Sequence, residues 1–181
     1  MNLGEAKKKT LMLLDEYSSG GEITIDEDIM LKMNQFFDLG QKDMAMYQPI
    51  IKKTEVQLQE WVNLPTDFRS QFRNWIGGRQ VSTFPVVGGK MYCPNQTGNM
   101  IVEYYAYPTT ITDETPDTYE FEVKEDAANC LPFYVAAQQL ITDLVVDYQA
   151  LWNMYLTHKA SVDTSLPSGG SFGGVRQTLF R

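Results

Sequence analysis

The chain has 181 residues, enough for one domain that buries a core, or for one domain with an insertion. Hydrophobic residues make up 43 % of it and aromatic residues 12 %, a composition that excludes a wholly disordered chain. The net charge is −8, from 23 acidic and 15 basic side chains. Because proteins that grip phosphates normally carry the opposite sign, tight nucleic-acid binding is not expected.

The first 48 residues predict two helices. Apolar residues recur at spacings of three and four between Leu3 and Tyr17, and the Ser-Ser-Gly-Gly turn at 18–21 would end this helix. A second amphipathic helix runs to the residues before Pro49, with Gly40 on its apolar face, where another backbone could come close. We therefore predict a helical hairpin over residues 1–48, which needs a third helix to cover its apolar surface.

Residues 49–124 predict a β-rich insertion. Short alternating pieces are punctuated by glycine pairs at 77–78 and 88–89, a spacing that is typical of a β-meander. Residues 100–107 predict a strand with apolar or aromatic side chains on both faces, so we expect both faces to be partly covered. Residues 119–124 alternate cleanly and predict a further strand with one buried and one wet face.

Residues 125–160 predict a long C-terminal helix that completes the bundle, with Pro132 in its first turns, where a missing amide costs least. Its apolar stripe is formed by Ala137, Leu140, Ile141, Leu144, Tyr148, Leu151 and Tyr155. The predicted fold class is therefore α+β, mainly α. It is a helical bundle, made of the N-terminal hairpin and the long C-terminal helix, that carries a β-rich insertion.

Residues 161–181 predict an extended, flexible C-terminal arm, because its glycines and serines cannot pack a core. The arm nevertheless ends in an apolar, cationic tip, which is more than a linker needs. The candidate partner-binding residues of this arm are Phe172, Val175, Arg176, Leu179, Phe180 and Arg181.

Motifs for catalysis, cofactors or metals are absent from the sequence. It has no nucleophile elbow, no HExxH and no phosphate-binding glycine loop, so we predict no catalytic residue and no cofactor. His158 is expected to be solvated at the polar end of the last helix. Cys93 and Cys130 are expected to be packed thiols in a reducing cytoplasm, although a helix start could lower the pKa of Cys130.

Two surface groups have alternative interpretations. Asp113, Glu114 and Asp117 crowd one turn and could bind a hard cation. They lack the alternating oxygen ligands of a calcium loop, so a solvated turn is favoured and no metal is predicted. Four tyrosines, Tyr104, Tyr105, Tyr107 and Tyr119, could be a stacking platform for single-stranded nucleic acid. The glutamates interleaved with them favour core and subunit-interface packing instead. The residues predicted for a subunit interface are Tyr104, Tyr105 and Tyr107.

The passage IVEYYAYPTTITDETPDTYEFEV at 101–123, followed by EDAANCLPFYVAAQQL at 125–140, resembles the head–tail connector (adaptor) proteins of tailed bacteriophages. The resemblance extends from the N-terminal hairpin through the last helix. One departure is that the last helix has no obvious break after Thr142-Asp143, where relatives often turn.

The resemblance implies a structural, non-enzymatic virion protein at the portal vertex, made in the host cytoplasm. Such connectors form a homo-oligomeric ring, usually of twelve subunits, that binds the portal on one side and stopper or tail components on the other. Genome DNA passes through the lumen without sequence-specific binding, and a negative net charge would suit that passage. The C-terminal arm would dock on the portal or on a neighbouring subunit, and no membrane partner is implied, since the apolar runs are too short to span one.

Two other interpretations stay open from the sequence. The first is a nucleic-acid-binding or nucleic-acid-processing accessory protein. It would use the tyrosines together with Arg69, Arg73 and Arg79, and the alternative for these arginines is a set of solvated strand edges. The second, a near neighbour of the connector, is a head-closure (stopper) or tail-completion protein.

Overall fold

The computed structural model describes residues 1–14, 27–142 and 148–165, which form two compact units. Met1–Ile51 and Tyr105–Thr164 form a helical unit, and Lys52–Tyr104 belong to a β unit. The helices are α1 (Leu3–Leu13), α2 (Glu27–Tyr47), α3 (Glu125–Ala128), α4 (Leu131–Thr142) and α5 (Tyr148–Ser161). The strands are β1 (Ile50–Gln57), β2 (Trp61–Asn63), β3 (Phe68–Ile76), β4 (Arg79–Val81), β5 (Val86–Val87), β6 (Lys90–Tyr92) and β7 (Asn99–Ala106).

The helical unit is built around α4, which packs against α1, α2 and α5. Helices are present in both predicted N-terminal segments, whereas the predicted end of the first helix and the turn at 18–21 lie outside the described residues. A capping box starts α1, since the Asn2 side chain accepts from the backbone N–H of Glu5 at 2.8 Å and the Glu5 carboxylate accepts from that of Asn2 at 3.1 Å. The largest fully buried apolar side chains of this unit are Leu3, Met33, Phe37, Met44, Leu131, Val135 and Tyr155.

The prediction of a mainly helical bundle with one long C-terminal helix is wrong. The rings of Phe133 on α4 and His158 on α5 stack with centroids 4.7 Å apart. A straight helix would separate these residues by about 38 Å, so the chain reverses direction between α4 and α5. The described residues also contain seven strands in two sheets, which makes the fold α+β rather than mainly α. Leu144 of the predicted stripe and the rest of 143–147 lie outside the described residues.

The strand predicted at 119–124 is also wrong, although its alternation is right. Phe121 and Val123 are buried while Glu120 is exposed. The segment does not join a sheet; its one bridge, from Glu120 to Asn2, leads to the start of α1. The N–H groups of Glu122 and Lys124 donate to the side chains of Gln41 on α2 and of Gln48 just after it. An extended chain lying over helices shows the same period of two as a strand in a sheet.

In the β unit the predicted glycine turns are present, but the predicted meander is wrong, because only β3–β4 and β5–β6 pair as consecutive strands and β4 and β5 lie in different sheets. One sheet has the strand order β1-β7-β3-β4 and the other β2-β6-β5. The tight turns β3–β4 and β5–β6 contain the glycine pairs 77–78 and 88–89, all with φ between +56° and +77°. Two successive positive φ values define the hairpin turn that glycine favours. One face of β7 is buried through Met100, Val102 and Tyr104.

Candidate functional site

Tyr104 lies inside the β unit rather than at its surface. Its hydroxyl donates to Asp67 Oδ1 at 3.0 Å, and its ring lies against Phe68 with centroids 5.6 Å apart. Burial alone would raise the pKa of Asp67, but hydrogen bonds from Lys52 and Tyr104 outweigh it and lower that pKa. Burial, together with the Asp67 carboxylate, raises the pKa of Tyr104. Tyr104 therefore ties β7 to the β2–β3 turn.

The other two predicted interface tyrosines differ from Tyr104 in exposure. Tyr105 is half-buried, whereas 50 % of Tyr107 is exposed, so Tyr107 offers the most surface of the three. The predicted arm residues, from Phe172 to Arg181, lie outside the described residues, so their partner-binding role stays a prediction.

The three arginines of the nucleic-acid interpretation lie on β3 and β4. Arg69 and Arg73 are half-buried, and the Arg73 guanidinium lies 4.3 Å from the centroid of the Phe72 ring. Arg79 is exposed and sits opposite Ile76 across the β3–β4 ladder. Glu103 of the neighbouring β7 pairs with Lys53 at 2.9 Å, so acidic and basic groups alternate in this region.

The two cysteines are free, buried thiols, as predicted. Burial raises the pKa of Cys93, and burial together with the nearby Asp126 carboxylate raises the pKa of Cys130 to about 11. The alternative of a reactive, low-pKa thiol at a helix start is therefore wrong for Cys130. His158 is exposed on α5, as expected, and its ring is stacked on Phe133.

The acidic turn is solvated, as the sequence favours. Asp113 and Glu114 are exposed, and Asp117 Oδ1 accepts from Lys7 Nζ at 2.7 Å. Within the described ranges, no group of three potential ligand side chains is arranged to hold a metal ion. Lys7 is buried by this contact. The Gly4 N–H also donates to the Asp117 carbonyl at 2.9 Å, and the two contacts together fix the turn on α1.

Sequence reasoning missed the exposed apolar residues of α5. Met154 and Leu156 are 43 % and 46 % exposed, and α5 carries no acidic residue. The one lysine of α5, Lys159, bonds to Asp43 Oδ2 on α2 at 2.6 Å and is only 20 % exposed. The Tyr155 hydroxyl donates to the same oxygen. Burial first, and the Asp43 hydrogen bond second, raise the pKa of Tyr155.

A groove of about 400 Å³ is lined by residues of α4 and α5. Among the described residues its lining side chains are all uncharged: Gln138, Ile141, Tyr148, Gln149, Trp152 and Asn153. Depletion of charge together with exposed apolar and aromatic groups is the composition of the centre of a protein–protein interface. This depletion of charge is visible in the sequence, because Cys130–Thr142 has no charged residue in a chain that is 21 % charged.

A second apolar surface lies on α2, where Leu39 is 51 % exposed and Met46 62 %. These residues are seven apart and so share one face of the helix. Among the described residues, no helix has both the length and the apolar composition needed to cross a membrane. Neither protein-family models nor curated proteins match this chain.

Proposed function

We propose that the protein is a structural head–tail connector of a tailed bacteriophage, which forms a ring between the portal and the neck or tail components. The observation that supports this most is the uncharged, apolar surface of α4 and α5, since a subunit of a ring must offer such surface to its neighbours. Genome DNA passes through the lumen of the ring, and the net charge of −8 reduces its retention there.

The passage that carries the resemblance to connectors has a structural role in the helical unit. Gln41, fully buried on α2, donates to the Thr109 carbonyl at 3.2 Å and accepts from the Tyr119 hydroxyl and the Glu122 N–H. Asp38 Oδ1 accepts from the Ile111 N–H at 3.0 Å. The resemblance therefore concerns the residues that shape the scaffold, which is what a structural protein shares with its relatives.

In this proposal the C-terminal arm docks on the portal or on a neighbouring subunit. The first residues of the predicted arm are anchored, because the Asp163 N–H donates to Asp126 Oδ2 at 3.0 Å and the Asp163 carbonyl accepts from Gln48 Nε2 at 2.7 Å. These two bonds fix the point at which the arm leaves the helical unit. An arm with a fixed origin reaches only the partners near that origin, which favours one docking site.

The experiment is deletion of the gene in a phage that encodes the chain, with complementation in trans. We expect filled heads and tails to accumulate unjoined without the chain and to join again with it. A variant that ends at Thr164 should keep the melting temperature of the full chain, since the described core ends there, yet fail to complement. Infectious particles made without the chain would refute the connector function. Full complementation by the truncated chain would refute only the role of the arm.

A further inference from the structure

The β unit contains two hairpin tips of the same construction. In each tip two glycines follow an apolar residue and precede a basic one: Ile76-Gly77-Gly78-Arg79 and Val87-Gly88-Gly89-Lys90. The first glycines of the two pairs have φ values of +56° and +57°, and the second glycines have +77° and +74°. The same turn therefore occurs twice, and each time a basic residue follows it directly.

Both hairpin tips project away from the rest of the described chain. All four glycines are exposed, and a Cβ built on any of them would meet no atom beyond its chain neighbours within 4 Å. Arg79 and Lys90 are exposed as well, and neither forms an ion pair within the part of the chain that the structure describes. Each tip therefore presents one unpaired positive charge beside a turn without side chains.

The strands that carry the tips belong to a positive stretch of an acidic chain. Residues 68–102 contain four basic side chains and no acidic one, although the whole chain has a net charge of −8. The carboxylates on either side of this stretch are paired with lysines, Asp67 with Lys52 at 3.0 Å and Glu103 with Lys53 at 2.9 Å. The four basic residues of the stretch are Arg69, Arg73, Arg79 and Lys90.

The shape and the charge of the tips favour duplex DNA over a protein surface as their partner. A two-stranded β-ribbon fits the major groove, and basic side chains and backbone N–H groups are the usual partners of DNA phosphates. Protein interfaces, by contrast, are centred on buried aromatic anchors and are depleted of lysine. Each tip instead offers a basic side chain next to two residues that leave the backbone accessible.

We propose that the two hairpin tips bind the phosphate backbone of duplex DNA through Arg79 and Lys90. Under the proposed function, on which this proposal rests, the ring brings the tips to the DNA that passes through its lumen. The binding is independent of sequence, since phosphate contacts carry no sequence information. Two basic residues on a chain of net charge −8 make a weak contact, which moving DNA leaves quickly.

The experiment measures binding of the full purified chain to a fluorescein-labelled duplex of about 30 base pairs, three helical turns, by fluorescence anisotropy. The affinity is followed between about 50 and 200 mM salt, because each phosphate contact contributes about 0.9 to the slope of log affinity against log salt. Arg79→Gln and Lys90→Gln should each lower this slope by about 1. The Arg79→Glu, Lys90→Glu double variant should bind at least about tenfold more weakly at the lower salt concentration.

The matched control is the Lys8→Glu, Lys9→Glu double variant, which makes the same change in net charge at exposed positions of α1. It should bind DNA within about twofold of wild type, because it leaves both tips intact. Both double variants should keep the melting temperature of wild type, since all four side chains are exposed.

Two results would overturn the proposal: no binding by wild type at the lowest salt concentration, or equal losses of affinity in the two double variants. Unchanged DNA binding by the tip variant, with reduced self-association in sedimentation, would also overturn it and assign the tips to an acidic surface of another copy. The test uses purified protein without virus. DNA binding through the tips of a chain that is absent from virions would therefore support the tips and refute only the connector function.

Discussion

At the residue scale, polar side chains buried on α2 and immediately after its end set the path of the segment between β7 and α3. Asn34, Asp38, Gln41 and Gln48 are all buried and bond to that segment or to its ends. Unpaired buried backbone groups are costly, so an extended chain outside a sheet needs such partners. The side chains of α2 thus replace the neighbouring strand that a sheet would provide.

Gln41→Leu tests this role directly. The change keeps the approximate volume but removes the hydrogen bonds that Gln41 makes with the Thr109 carbonyl, the Glu122 N–H and the Tyr119 hydroxyl. The loss of each hydrogen bond costs about 1 kcal/mol, so we expect the free energy of unfolding to fall by about 3 kcal/mol in urea denaturation. Gln35→Leu, at an exposed position of the same helix, is the control and should change it by less than about 0.5 kcal/mol. An equal loss of unfolding free energy in Gln41→Leu and Gln35→Leu would contradict this role of Gln41.

Asp126 gives a prediction about pH. Burial would raise its pKa, but hydrogen bonds from the Asp163 N–H, Gln48 and the Ala127 N–H outweigh this and lower it from 3.8. A depressed pKa contributes stability above the unfolded-state pKa, and that stability is lost as the pH falls through the folded-state value. We expect Asp126→Asn to be less stable than wild type at neutral pH, by at most about 1 kcal/mol because Asp126 is exposed.

The measurement for Asp126 is urea denaturation of both proteins from pH 7 down to the acid limit of folding. The difference in unfolding free energy between wild type and Asp126→Asn should shrink as the pH falls below about 4, where the wild-type carboxylate becomes protonated. A difference that stays constant over the whole range would show that the carboxylate charge does not hold Asp163.

At the element scale, the packing of α2 on α4 depends on Gly40. A Cβ at this position would lie 2.9 Å from Cδ1 of Tyr134 and 3.2 Å from Cδ2 of Leu131. The close approach expected from the sequence is real, but the neighbour is an aromatic ring rather than a backbone. Tyr134 is held in turn by Trp152 and Tyr155 of α5, at centroid distances of 5.9 and 5.2 Å, so the ring has little room to move.

Gly40→Ala should therefore destabilise the protein, although alanine favours a helix by about 1 kcal/mol over glycine. Overpacking of a well-packed core costs about 1–3 kcal/mol, and we expect a net loss of about 1 kcal/mol with a lower melting temperature. Gln35→Ala, exposed on α2, should be neutral or slightly stabilising. A rise in the melting temperature of Gly40→Ala would show that α4 yields at this contact.

The element patterns explain what the sequence could and could not predict. Periodicity located α1, α2 and β7, because each buries one continuous face. It predicted one continuous helix where α4 and α5 are separate, because both helices place apolar residues inward at the same spacing. No glycine or proline lies between them in the sequence to indicate a break. Alternation predicted the burial of Phe121 and Val123 correctly but could not predict the hydrogen-bond partners of this segment, which lie far away in sequence.

At the scale of the whole molecule, residues from both ends of the sequence form the helical unit, and the β unit is inserted between Ile51 and Tyr105. The candidate site was harder to predict than the fold. An interface face shows in a single sequence only as missing charge, which is a weaker signal than periodicity. Of the three tyrosines predicted for an interface, Tyr104 is instead held by Asp67, a contact 37 residues away that no local pattern reports.

The central claim is that many copies of this chain form a closed ring in the neck of a virion. Cryo-electron microscopy of purified particles tests it most directly, with the copies counted in a reconstruction of the portal vertex. The account predicts a ring of about twelve copies between the portal and the tail components, with closed rotational symmetry. Mature particles whose neck contains no copy of this chain would contradict it.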